Sequence, residues 1–143
     1  MTKFKYKFEA IKNIKERFEK IVQKEIAIIN LDIDNLKTEI ERLNNERKGT
    51  RLKKLTNSSV KISDLQFYSK HENYLESQMK ILRKMVEKKN IEKAKKLEEL
   101  IKRSKETKTF EKLKEKHKDE HTKTQEKIEQ LEMDEIAVKE FNR

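Results

Sequence analysis

His117 and His121 stand four residues apart, the spacing that puts two imidazoles on one face of a helix, where a metal ion could bridge them. No cysteine or third histidine accompanies them, and the surrounding lysines oppose a cation, so the pair is read as helix surface. Phosphate chemistry lacks its loop, because a nucleotide cradle needs clustered glycines and Gly49 is the sole glycine. The 27 acidic residues have no cleft in which burial could tune one of them for acid–base work. The sequence therefore reads as non-enzymatic, with no catalytic residue, cofactor, metal or small-molecule substrate.

Positive charge is the remaining chemistry. Thirty-seven basic residues leave a net charge of +10, with Lys84, Lys88, Lys89, Lys93, Lys95 and Lys96 as the densest stretch. A bare basic tract would point to phosphate backbones, but here acidic residues are interleaved, and three tyrosines with no tryptophan offer little for stacking bases. Nucleic acid is not the expected partner. A basic helical rod binding nucleic acid or a ribosomal surface stands as the alternative reading, and a generic coiled-coil homodimer as another, with a monomer expected in isolation.

The elements that position these groups are long helices. With 45% charged residues, one glycine and no proline, the chain lacks material for tight turns or strand hairpins. Phe4, Phe8, Ile11, Ile14, Phe18, Val22, Ile26, Ile29, Ile33, Leu36, Ile40 and Leu43 recur three or four apart, which places them on one stripe. From Val22 to Leu43 the steps alternate four and three, the heptad of a left-handed supercoil; upstream, successive fours from Ile14 to Ile26 relax it. Ile21, Ile28 and Leu31 widen the stripe.

Asn44-Asn45 and Lys48-Gly49-Thr50 interrupt the ladder, and Thr56-Asn57-Ser58-Ser59 favour non-helical backbone. Leu52 and Leu55 could extend the helix by a turn or two. Ser63 and Gln66 form a capping-box pattern, with Ile62 and Phe67 as its hydrophobic staple. Leu65, Tyr68, Leu75, Met79, Leu82, Val86, Ala94, Leu97 and Ile101 continue a helical stripe interrupted by Asn90. Glu98 to Lys102 and Glu99 to Arg103 are spaced for ion pairs along the helix. Beyond a thin region holding Phe110 and Leu113, apolar residues return at Ile128, Leu131, Met133, Ile136, Val138 and Phe141.

The expectation is an all-α, antiparallel two-helix coiled-coil hairpin forming one domain over 1–143, with helix one at about 3–47, a tip at 48–63 and helix two at about 64–140. Pairing Leu43 with the region of Leu65 to Leu75 brings Phe4 near residues 104–114, and everything after about 115 overhangs without a partner. No window reaches the roughly 18 apolar residues of a membrane span, and the N-terminus lacks a secretory signal pattern. A cytoplasmic location follows as an expectation.

The order of these features resembles the flagellar export component FliJ. Phe4-Lys5-Tyr6-Lys7-Phe8 with Ile11 and Ile14 resembles the family's opening; Tyr68 and Leu75 match its next stretch; Phe110-Glu111-Lys112-Leu113 and Met133-Asp134-Glu135-Ile136-Ala137 resemble its ending. The resemblance implies a stalk like that of rotary ATPases, whose terminal end enters and stimulates the hexamer of the export ATPase FliI. On that end lie Phe4, Phe8, Ile128, Leu131, Met133, Ile136 and Phe141. It further implies contact with the export gate FlhA through His71, Leu75, Gln78 and Leu82, escort of export chaperones, and peripheral association with the membrane export complex through proteins. His71 departs from the larger aromatic or apolar residue frequent at that place in the family.

Overall fold

In the computed structural model the protein is an antiparallel two-helix hairpin, α1 spanning Glu9–Thr56 and α2 spanning Ile62–Phe141. The structure describes residues 3–56 and 61–142. Asn57, Ser58 and Ser59, assigned to the tip by sequence, lie outside the described residues. Packing groups the chain into two compact units: Met1–Ile21 with Leu100–Arg143, and Val22–Glu99.

Both helices begin where charge and backbone bonding favour it. Glu9 opens α1 and Asp64 lies in the first turn of α2, each a negative charge at the positive end of a helix dipole; Lys53, Lys54 and Lys139 serve the opposite ends. The Lys61 carbonyl accepts from the Asp64 and Leu65 amides at 3.0 and 3.1 Å, so Lys61 caps α2 and Ser63 falls inside the helix. The expected capping box is displaced. Its staple is absent as well, since Ile62 and Phe67 are both exposed, and Phe67 stacks on His71 with parallel rings 6.4 Å apart.

Helix one differs from the range 3–47 at both ends. Residues 3–8 precede the helix, and α1 runs through Gly49 to Thr56. The three–four alternation does not stop at Leu43: Arg47, Thr50 and Lys54 carry it on as covered polar residues. Thr50 is buried because its hydroxyl is satisfied locally, donating to the Glu46 carbonyl at 3.1 Å.

In the unit Val22–Glu99, the α1 seam is Val22, Ile26, Ile29, Ile33, Leu36, Ile40 and Leu43, the heptad stretch read from sequence. Leu43, Leu75 and Met79 form its core, with Ile40 and Leu82 packed against them. After Val86 the α2 seam departs from the expected stripe. Lys89, Lys93 and Lys96 occupy it, while Asn90, Ala94 and Leu97 are exposed. The reason lies on the facing helix: Lys89 reaches Asp32 at 3.4 Å and Lys96 reaches Glu25 at 2.5 Å. Their butylene stems cover the seam while the ammonium groups pair at its edge.

In the unit Met1–Ile21 with Leu100–Arg143, the same alternation places Lys12, Lys15 and Glu19 against Leu100, Arg103, Thr107, Phe110, Lys114, His117 and His121. Ile11, Ile14 and Phe18, expected on the inner stripe, are each more than 40% exposed on one flank. Polar contacts hold this unit. Lys15 pairs with Glu106 at 3.0 Å, Lys114 with Glu9 at 3.2 Å, and the Arg103 guanidinium lies over the Phe18 ring at 5.0 Å. The ion pairs expected from Glu98 and Glu99 to Lys102 and Arg103 are replaced by Lys96–Glu99 at 3.3 Å and Arg103–Glu106 at 3.9 Å.

Candidate partner-binding surfaces

The terminal surface begins with the aromatic segment before α1. Phe4 lies 5.5 Å from the His121 ring, Tyr6 and Phe8 lie 5.8 and 6.2 Å from His117, and the Tyr6 hydroxyl donates to the Phe110 carbonyl at 2.9 Å. His117 and His121 thus serve as platforms for aromatic packing, and among the described residues no group of three or more His, Asp or Glu is arranged to hold a metal. Phe4 meets His121, not residues 104–114. The overhang therefore starts beyond His121 rather than near residue 115.

Within that overhang every described residue after Gln125 is exposed. Ile128, Leu131, Met133, Ile136, Val138 and Phe141 are among them, Phe141 at 91%. At about 100° per residue these six spread around the whole helix, with Met133 nearly opposite Leu131 and Ile136 between Ile128 and Met133. Of the residues assigned to a ring contact, Phe4 and Phe8 lie at the root of this segment, half-buried against α2, and the other five project on it.

In the unit Val22–Glu99, His71, Leu75, Gln78 and Leu82 come together in one shallow groove whose α1 wall is Glu39, Arg42, Leu43 and Glu46. Their exposures differ. Leu75 is 2% exposed and belongs to the core, Leu82 packs on that core, and His71 Nε2 lies 3.3 Å from Glu46 Oε1. As folded, the groove offers His71 and Gln78 at its surface, with Leu75 as floor. Tyr74, on the same rim and exposed, was missed by sequence reading; its step of three from His71 and four from Gln78 was the available signal.

The Glu39 carboxylate, hydrogen-bonded by Arg42 at 2.6 Å, is held below its ordinary pKa by that bond, and Arg42 is raised in turn by Glu39. Glu39 and Arg42 therefore both keep their charges at physiological pH. Among the described residues no helix is long and apolar enough to cross a membrane.

An all-α hairpin with an aromatic opening, a covered Leu75 groove and an apolar terminal segment is matched, over residues 4–143, by the family model of the flagellar FliJ protein. The chain belongs to the FliJ family. No curated protein and no solved structure matches it. As a FliJ family member it is a component of flagellar export, and in it the family's span takes in both the groove of His71 and the exposed segment ending at Phe141.

Proposed function

We propose that this FliJ family member is a non-enzymatic stalk and chaperone escort of the flagellar type III export apparatus, entering the FliI ATPase hexamer by its terminal end and meeting the FlhA gate near the start of α2. One observation carries the reading: the segment from Ile128 to Phe141 exposes apolar side chains all around a single helix. A helix apolar on opposed faces needs surroundings on more than one side. A ring lumen supplies them, whereas a flat surface leaves one face in water. Phe4 and Phe8 would meet the rim where the helix emerges. The net charge of +10 suits an acidic pore, since complementary charge steers entry and fixes orientation.

The gate contact is assigned to the groove of His71, Leu75, Gln78 and Leu82, with His71, Tyr74 and Gln78 as the touching surface. The protein would act in the cytoplasm, held at the membrane export complex through these protein contacts.

The test is the FliI ATPase rate measured alone, with the full chain, and with a chain lacking residues 128–143. The full chain raises the rate and the truncated chain does not. An unchanged rate with the full chain, together with RNA or duplex binding of steep salt dependence, would favour the nucleic-acid rod instead.

A further inference from the structure

Two sets stand out among the lysines of the unit Met1–Ile21 with Leu100–Arg143. Those turned toward the helix interface find acids: Lys12 with Glu16, Lys15 with Glu106, Lys114 with Glu9. A second set, Lys102, Lys105, Lys112, Lys116, Lys123 and Lys127, is exposed on α2, and among the described residues none lies within ion-pair distance of a carboxylate. At about 100° per residue these six share a sector of about 80°, turned away from the seam of Arg103, Thr107, Phe110 and His117. They make a straight row about 37 Å long. Glu120 lies within the sector on the bearing of Lys102, Asp119 lies just outside it, and Thr109 continues the row without charge.

We propose that this row is an electrostatic docking rail for an anionic lipid bilayer. Its straightness selects the partner. Six cations on one line parallel to the helix axis meet a plane simultaneously, whereas the phosphates of a duplex wind away from a straight rod after a few contacts. No exposed aromatic or large aliphatic side chain interrupts the row, so it lacks the buried anchors that hold a protein partner. Bilayer adsorption needs no anchor: each lysine near an anionic surface adds attraction, and the attraction is screened by salt. The rail occupies residues 102–127, apart from the apolar segment proposed to enter the ring, so the two proposals fail independently.

The experiment is cosedimentation of the full chain with vesicles of phosphatidylglycerol and phosphatidylcholine, and with phosphatidylcholine alone. A rail variant carries Lys105→Gln, Lys112→Gln, Lys116→Gln and Lys123→Gln. A control variant loses the same charge from exposed α1 positions by Lys20→Gln, Lys24→Gln, Lys37→Gln and Lys48→Gln. Glutamine is nearly as good a helix former as lysine, and circular dichroism checks that both variants keep their helicity. The unaltered chain binds anionic vesicles only, high salt releases it, and the rail variant binds on the order of a hundredfold more weakly while the control stays within a few-fold. Equal losses in the two variants would assign the binding to bulk charge and overturn the proposal. So would equal binding to both vesicle types, failure of the unaltered chain to bind, or a rail variant that keeps its vesicle affinity and loses affinity for duplex DNA.

Discussion

The Tyr6 hydroxyl donates a hydrogen bond to the Phe110 main-chain carbonyl at 2.9 Å, across 104 residues of sequence. It ties the segment before α1 to the middle of α2, and Tyr6 is buried while doing so. Tyr6→Phe keeps the ring contacts with Phe8 and His117 and removes this bond alone. The expected cost is about 1 kcal/mol in urea denaturation, with amide exchange rising first in residues 3–12.

Met79 is 0% exposed between Leu43 and Leu75. Met79→Ala opens a cavity that two helices cannot close by collapsing, and the expected loss is about 2–5 kcal/mol. A loss below about 1 kcal/mol in chemical denaturation would mean that this core does not anchor its unit.

Charge, more than apolar area, sets the pairing where Lys96 meets Glu25. Lys96→Glu places two carboxylates together and lowers the thermal midpoint; adding Glu25→Lys restores opposite signs and recovers it. Calorimetry on the single and double variants decides, and a double variant no better than the single one would reject the pairing.

Acid titration reports on the Lys15–Glu106 pair. The hydrogen bond from Lys15 holds the Glu106 carboxyl below its ordinary value of 4.5, against the opposing effect of burial. A depressed folded value means that the pair's stabilisation is complete above 4.5 and disappears as pH falls through the folded value. Carboxyl NMR should show Glu106 titrating below the ordinary range, and returning toward it in Lys15→Met.

Removing residues 128–143 should leave the unfolding midpoint of the remainder unchanged. The described residues of that segment are all exposed and bury nothing of the hairpin. A lowered midpoint in differential scanning calorimetry would show that the segment packs back on the hairpin.

The hairpin itself was legible because apolar residues alternate by four and three without a break from Val22 to Leu43, a regularity that the flanking Ile21, Ile28 and Leu31 do not share. What misled was the assumption that a seam is apolar. Arg47, Thr50 and Lys54 extend α1 past the point where its leucines end, and Lys89, Lys93 and Lys96 hold the place that Ala94 and Leu97 were expected to fill. The places of Lys89 and Lys96 depend on Asp32 and Glu25, on the other helix, so one helix read alone does not contain them. The same limit applies to the candidate surfaces. The segment of Ile128 to Phe141 has no facing helix and could be read directly, whereas the burial of Leu75 depends on Leu43.

Gly49 lies within α1 at a helical conformation, and a methyl group added there would meet nothing within 4 Å. No backbone requirement retains it, so Gly49→Ala should strengthen the helix by about 1 kcal/mol. As the chain stands, the two turns from Thr50 to Thr56 hang from its most pliant residue, beside the connection to α2. That end of α1 should fray first and admit proteases earliest.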